Sequence, residues 1–250
     1  MNQRYIPRTL AVAAVLIVYS APAYAMHIAE GILPVKWAGL WLILSIPFLL
    51  LGIRELKHRG MGSPQYKALV GLVGAAVFII SCMPIPIPVV GSCSHPCGTG
   101  IAAIIIGPWV TVVVTSVALL LQALFMAHGG LSTFGADVFS MGVAGAFVGY
   151  GSFKLGTWLG VPVVIAAFLA GVTSDWATYF VTSIELSTAL GTSASWSNML
   201  AMILIAFMPT QIPLGIFEGF LAAGAYKFIA SRRPEILQSL DVSVFIGGVK

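Results

Sequence analysis

Long apolar stretches alternate with short polar or glycine-rich loops along almost the whole chain. Ile101–Met126 is expected to hold two helices, because Gly107-Pro108 favours a tight turn between a short and a longer one. The short helix cannot cross a bilayer alone, so its neighbours must shield it. An outer loop is expected over Glu185–Ser197. The pattern predicts an all-α integral membrane protein, a bundle of about seven transmembrane helices. Besides the two helices within Ile101–Met126, the predicted helices cover approximately Val35–Ile53, Tyr66–Cys82, Val138–Leu155, Val161–Thr182 and Asn198–Ala230.

Composition supports the membrane assignment and leaves no room for a soluble catalytic domain. Hydrophobic residues make up 59% of the chain and charged residues 8%, whereas soluble domains carry roughly 25% charged residues. The net charge of +4 comes from a few loop cations, as the positive-inside rule predicts, and does not indicate a nucleic-acid surface. The sequence contains no Ser-His-Asp order, HExxH, GxSxG or phosphate-binding loop motif. We therefore expect neither an enzyme nor an ATPase.

The first 25 residues have the three parts of a signal peptide. Two arginines form a positive start, Leu10–Val18 is a short apolar core, and Ala23-Tyr24-Ala25 is a small-x-small cleavage site. The alternative is an uncleaved first transmembrane helix, but the apolar core is short for a span of about 20 residues. We expect cleavage after Ala25, which leaves residues 26–250 as a single transmembrane domain.

Cleavage at that position creates a chelating unit at the new N-terminus. Met26 supplies an α-amine, the Met26–His27 amide supplies a second nitrogen, and His27 supplies its imidazole. The amine and the amide close a five-membered ring on a metal ion, and the amide and Nδ1 of His27 close a six-membered ring. Two residues thus provide a metal with three nitrogens, and the fourth donor must come from elsewhere.

The loop over Gly91–Gly100 supplies the natural fourth ligand, His95. The cations of Arg54–Arg59 mark the end of the first mature helix as cytoplasmic, and Arg232 places the C-terminus inside. If the first mature helix ends inside, the second helix leads back out, so the His95 loop lies on the outer face. Met26-His27 lies on the same face. Four planar nitrogens suit Ni(II), Cu(II) or low-spin Co(II), whereas Zn(II) prefers a tetrahedron and Ca(II) and Mg(II) prefer oxygen.

Other polar residues could support this site from a second sphere, namely Glu30, Ser92, Ser94, Thr99 and His128. The serines and the threonine lie near His95 in sequence and could orient an imidazole. Glu30 follows His27 by about one helical turn and could anchor the inserted N-terminus. His128 could be a second-sphere donor or a transient ligand, or it could be an ordinary residue at a helix C-terminus, since Gly129 follows it.

Cysteines and acidic residues leave several interpretations open. Cys93 and Cys97 flank His95 and could be thiolate ligands, a disulfide or small loop residues. Asp175 and Glu218 fall within predicted helices, where carboxylates are functional candidates. They could relay protons, pair with Lys154 or form hydrogen bonds between helices.

Three segments carry a resemblance to a known family. Met26–Pro34 looks like the "MHIxEGxLP" start of the substrate-capture (S) subunit of cobalt and nickel energy-coupling-factor (ECF) transporters, the CbiM/NikM family. Gly91–Gly100 is similar to that family's "SSHPTGTG" loop, and Ala127–Ala136 to its "AHGGxTTxGAN" element. The resemblance covers essentially all of residues 26–230 and is most like CbiM.

The resemblance implies an ECF S-component fold with a planar site built from Met26, His27 and His95. It implies cobalt(II) as the substrate rather than a cofactor, feeding cobalamin biosynthesis, with nickel(II) as the alternative. The implied partners are a transmembrane coupling subunit, ABC-type ATPase subunits that hydrolyse ATP, and a small accessory membrane subunit. The implied location is the cell inner membrane, with the mature N-terminus periplasmic and the C-terminus cytoplasmic.

The chain departs from the family pattern in three places. It has an upstream signal sequence, which some Gram-negative members share, Cys97 where threonine is usual, and Asp137 where asparagine is usual. Two functions of other classes remain as alternatives. One is an intramembrane enzyme that holds a catalytic metal with His95, His128 and a carboxylate. The other is a structural or sensory membrane subunit.

Overall fold

A computed structural model describes residues 27–83, 85–87, 92–126, 128–191, 195–232 and 234. The predicted signal peptide and Met26 lie outside these residues, and cleavage after Ala25 stays a prediction. The described residues form two short antiparallel strands, β1 (Ile85–Ile87) and β2 (Ser92–Ser94), and seven helices: α1 (Val35–Gly60), α2 (Pro64–Ser81), α3 (Thr99–Ile106), α4 (Pro108–Phe125), α5 (Phe134–Trp158), α6 (Val163–Leu190) and α7 (Trp196–Arg232). Within α5, Val138–Gly145 is π-helical.

Six of these helices, all except α3, are long and apolar enough to cross a membrane. Many large apolar side chains point outward, including Leu72 at 70% exposure and Ile43 at 65%. In water such a surface would be costly, but in lipid it faces a solvent as apolar as itself. The prediction of an all-α multi-pass membrane bundle is confirmed.

Helix α3 lies in the middle of the bundle, and all of its residues are buried. It packs against α2, α4, α5, α6 and α7. Gly107, with φ of 86°, makes the predicted turn, and Pro108 begins α4 at the position where a helix tolerates proline. The expectation that a short helix is shielded by its neighbours is confirmed, and its N-terminus is the point where the His95 loop enters the core.

Two predicted boundaries are wrong because polar residues extend helices. Helix α1 continues to Gly60, so the cationic run lies in its last turns, where Arg59 donates to Glu55 at 2.6 Å. Helix α6 continues to Leu190, so Glu185 is fully buried in a helix rather than in an outer loop. The hydroxyls of Ser183 and Ser187 donate to carbonyls one turn back, which satisfies them inside the helix.

Helices α6 and α7 pack closely because glycines line their contact. A Cβ at Gly171 would meet the backbone of Glu218, and a Cβ at Gly219 would lie 2.7 Å from the ring of Phe168. Small residues allow such backbone approach within a membrane. The close contact places Asp175 of α6 and Glu218 of α7 side by side behind the His95 loop.

Candidate metal centre

The structure brings His27 and His95 together, although they are far apart in sequence. Nδ1 of His27 and Nε2 of His95 are 3.1 Å apart, and the two rings meet edge to face with centroids 4.6 Å apart. Both residues are buried, with exposures of 7% and 3%. The pairing is the one that the predicted metal site requires.

Hydrogen bonds around His27 place its ring proton on Nε2. Ser81 donates its hydroxyl proton to the carbonyl of Val77, so its oxygen accepts from Nε2 of Gln122 at 2.8 Å. The carbonyl end of Gln122 therefore faces His27, and Nε2–H of His27 donates to it at 2.8 Å. Burial lowers the pKa of His27 well below its ordinary value, and a charged His95 lowers it further. Nδ1 of His27 consequently has no proton.

The corresponding proton of His95 lies on Nδ1. The carbonyl oxygen of Pro96, 3.0 Å from Nδ1, can only accept a hydrogen bond. His95 therefore donates through Nδ1–H, and its Nε2 is the nitrogen that faces His27.

The two facing nitrogens lie 3.1 Å apart inside the protein. When both rings are neutral with these protons, the facing nitrogens each carry a lone pair, and one metal ion beside them could bind both. Nitrogens bound at about 2.0 Å and at right angles to one another on one ion lie ~2.8 Å apart. The observed separation is compatible with adjacent corners of a planar metal site.

The His27 segment is fixed by the loop before α5 and by the start of that helix. The backbone N–H of Ile28 donates to Oδ1 of Asp137 at 3.1 Å, and the hydroxyl of Thr133 donates to the carbonyl of Ile28 at 2.7 Å. Gly129 has φ of 77°, and a Cβ there would lie 3.2 Å from Cβ of His27. These contacts fix the backbone on the C-terminal side of His27.

The His95 loop is fixed by α6 and α7. The hydroxyl of Tyr179 accepts from the backbone N–H of His95 at 2.8 Å and donates to its carbonyl at 3.1 Å. Glu218 accepts from the backbone N–H of Cys97, and also from that of Gly98 at 3.1 Å. Gly98 has φ of 69°, which glycine adopts without strain, so α3 can begin at the next residue.

The other predicted supporting residues take different positions. The hydroxyl of Ser94 lies 2.8 Å from that of Thr210, and that of Thr99 bonds Ser174 at 2.9 Å, so both fasten the loop to its neighbours. The side chain of Ser92 lies outside the described residues.

Glu30 is exposed and accepts from the backbone N–H of Ser132 at 3.2 Å. The bonds from Ser132 lower the pKa of Glu30. Glu30 therefore ties the N-terminal turn to the loop before α5, as an anchor of the N-terminus would.

His128 lies beyond the end of α4, near enough to His27 that its charge would lower the pKa of His27. Burial lowers the pKa of His128 itself. Its Nδ1 is buried and has no hydrogen-bond partner among the described residues. Both interpretations of His128, as an entry ligand and as a residue at a helix end, stay predictions.

Cys97, Asp175 and Glu218 form a second group of potential ligands, whose donor atoms lie within 4.8 Å of one another. Burial raises the pKa of the Cys97 thiol well above its usual value, and the carboxylates of Glu218 and Asp175 raise it further. The thiol faces Asp175 at 3.8 Å. With its nitrogen toward Asp175, the amide of Gln211 donates to both carboxylate oxygens at 2.9 and 3.2 Å. The hydrogen-bonding interpretation of these acids fits their contacts; the side chain of Cys93 is outside the described residues.

Two residues that contact the histidines were missed in the sequence. Gln122 is a single amide in the apolar α4, and its position in such a helix was a signal that it has a buried partner. Tyr179 is one of many aromatic residues, and nothing in the sequence distinguishes it.

Comparisons with known proteins agree on one family. The family model described as "CbiM: Cobalt uptake substrate-specific transmembrane region" matches residues 27–236. The chain is 54% identical over 217 residues to a cobalt transport protein CbiM of Sorangium cellulosum, covering 87% of this chain and 96% of that one. It is also 54% identical to the CbiM of Geobacter sulfurreducens, covering 89% of this chain and 64% of that longer one.

Solved structures show the same fold. A crystal structure described as a truncated transition metal transporter superposes with a TM-score of 0.75 at 25% identity, covering 82% of this chain and 99% of that chain. A second transition metal transporter has the same TM-score at 24% identity and supports the fold alone.

Proposed function

Because the chain belongs to the CbiM family of cobalt uptake transmembrane proteins, we propose that it captures divalent cobalt for an ATP-driven ECF-type importer. The observation that carries this proposal is the pair of buried imidazole nitrogens that face each other 3.1 Å apart. A buried site of this kind attracts a metal ion that prefers nitrogen ligands.

The proposed ligands are the amine of Met26, the amide nitrogen of His27, Nδ1 of His27 and Nε2 of His95. The amide is the middle donor of the Met26–His27 chelate, so the fourth ligand must lie opposite it and adjacent to Nδ1 of His27. The 3.1 Å separation of the two imidazole nitrogens supports this order. Signal-peptide cleavage creates the amine and is therefore part of site assembly.

Cobalt is the proposed substrate because the matching family model and the cobalt transport relatives carry that name. Nickel(II) remains the alternative, since a planar nitrogen field suits both ions. The metal is cargo in either case and not a resident cofactor. Delivery to cobalamin biosynthesis is part of the same proposal.

Transport by this chain requires partners. We propose a transmembrane coupling subunit, separate ABC-type ATPase subunits and a small accessory membrane subunit in the cell inner membrane. The cations in the last turns of α1 and α7 favour a cytoplasmic location for those ends. The metal site then opens from the periplasmic side.

Titration of the mature protein with Co(II) and Ni(II) tests the proposal. Purified protein that begins at Met26 should bind one equivalent, and His27→Ala and His95→Ala should each weaken binding by about a hundredfold or more, since binding free energies of about 10–16 kcal/mol are shared among four ligands. His58→Ala, in the exposed end of α1, is the matched control. Wild-type affinity in either site variant, or a mature protein that begins elsewhere, would contradict the proposed ligand set.

A further inference from the structure

A continuous hydrogen-bonded path runs from α7 to the metal-facing nitrogen of His95. Glu218 accepts from the N–H of Cys97. That N–H belongs to the same peptide group as the carbonyl of Pro96, which accepts from Nδ1–H of His95 at 3.0 Å. Two hydrogen bonds therefore connect the carboxylate to the imidazole through one peptide group, and Nε2 is the ring nitrogen at the far end of this path.

The contact of Glu218 with the loop is bidentate and buried. Its second oxygen accepts from the N–H of Gly98 at 3.1 Å, and the side chain is fully buried. Two parallel hydrogen bonds to one carboxyl group fix the orientation of that group as well as hold it in place. Pro96 has a fixed φ, so the backbone between His95 and the clamped amides has little freedom.

Polarisation along this path acts on the ligand. A carboxylate that attracts the proton of Cys97 N–H increases the negative charge on the carbonyl oxygen of the same peptide group. That oxygen then accepts more strongly from Nδ1–H of His95, which fixes the tautomer and makes Nε2 a better donor to a metal. Carboxylates act in this way on metal-bound histidines when they contact the ring directly.

We infer that Glu218 is a positioning residue for metal capture, acting on the ligand His95 through the Pro96–Cys97 peptide group. The inference rests on the proposed function, because it has meaning only if His95 binds the metal. It also makes the position of α7 a determinant of metal affinity, since this helix supplies the carboxylate.

Double-mutant titration tests the inference. Mature wild type, Glu218→Gln, His95→Ala and the double variant are titrated with Co(II) alone and with Ni(II) alone. In Glu218→Gln an NH₂ group replaces one of the two acceptor oxygens. This NH₂ group then faces a backbone N–H, and two donors cannot form a hydrogen bond. The dissociation constant should therefore rise about 10–100-fold, as it does when an outer-sphere partner of a ligand is lost. In the His95→Ala background the same change should have no further effect, because its route to the metal is gone.

Two further measurements separate positioning from folding. Glu185→Gln changes an equally buried carboxyl group of α6 that makes no hydrogen bond to the His95 loop among the described residues, and it should leave metal affinity within about threefold. The Ni(II) absorption band of Glu218→Gln should shift toward that of His95→Ala.

Equal effects of Glu218→Gln in both backgrounds would overturn the inference and show general destabilisation. Unchanged affinity in Glu218→Gln beside a tight-binding wild type would overturn the inference alone. Failure of the wild type to bind either ion would overturn the proposed function with it.

Discussion

The two imidazoles of the candidate site are held by different parts of the bundle and in different ways. His27 is held by an amide from α4 and by backbone contacts to the start of α5 and the loop before it. His95 lies on a loop held by side chains of α6 and α7, chiefly Tyr179 and Glu218. One side of the proposed site supplies three donors from a chain end, and the other supplies a single donor from a fixed loop.

This difference predicts that the two sides contribute differently to metal binding: one side mainly to the affinity, the other to the geometry of the site. In the proposed site the Met26–His27 unit is a chelate, so most of the binding free energy should come from that side. His95 would add one donor, and its position would decide whether the fourth corner of the proposed plane is filled. Changes on the His27 side should therefore cost more than matched changes on the His95 side.

The largest effect should follow from blocking signal-peptide cleavage. In Ala25→Leu the small residue before the cleavage site is lost, and the amine of Met26 stays within a peptide bond. The protein then loses the terminal donor and the ring that anchors the amide nitrogen, roughly half of a total of about 10–16 kcal/mol. Co(II) titration should show a loss of more than a thousandfold, exceeding that of His95→Ala.

Ala25→Gly is the control, because it keeps a small residue at the cleavage site. Mass spectrometry should show a mature protein beginning at Met26 and normal Co(II) affinity. Tight binding by protein that retains its leader would show that the amine is not a ligand. The His27 side would then not be expected to contribute more binding free energy than the His95 side.

Much of the fold follows from hydrophobic pattern. The Gly107-Pro108 turn and the buried short helix were predictable because glycine, proline and length act locally. The end of α6 was not predictable, since a run of serine and threonine is typical of a loop in water. Inside the bundle Ser183 and Ser187 bond their own helix, and the polar run becomes helical.

The site was predictable in part for a similar reason. His27 and His95 stand out because of a cleavage site and a glycine-rich loop. Their partners Gln122, Tyr179 and Glu218 come from three helices distant in sequence, and their contacts depend on how those helices pack. Packing of that kind is not encoded in any local spacing.

The next largest effect concerns the tautomer of His27. Gln122→Met removes the acceptor of Nε2–H and keeps a similar volume, so the ring proton is no longer held away from Nδ1, the nitrogen proposed to bind the metal. Loss of such a partner typically costs 10–100-fold in metal affinity. Titration with Co(II) measures the change.

Gln65→Met, at the exposed start of α2, is the matched control and should bind as wild type does. If Gln122→Met binds equally well, the amide does not set the tautomer of His27.

A smaller loss should follow on the His95 side. Tyr179→Phe removes a hydroxyl that accepts from the N–H of His95 and donates to its carbonyl, while Glu218 continues to hold the loop. A lost neutral hydrogen bond is worth about 0.5–1.5 kcal/mol, so the Co(II) dissociation constant should rise about two- to tenfold. Tyr226→Phe, a buried tyrosine of α7, is the control. A larger loss than in Gln122→Met would reverse the order of the two sides.

The smallest effect should come from Asp137→Asn. The asparagine oxygen can still accept from the N–H of Ile28, and its NH₂ group can donate to the hydroxyl oxygen of Thr133, whose proton goes to the carbonyl of Ile28. Co(II) affinity should stay within about threefold. Asp137→Leu leaves the N–H of Ile28 without an acceptor, which costs about 1–3 kcal/mol, and affinity should fall about tenfold or more. Equal losses in both variants would show that the negative charge of Asp137, rather than its hydrogen bond, supports the His27 side.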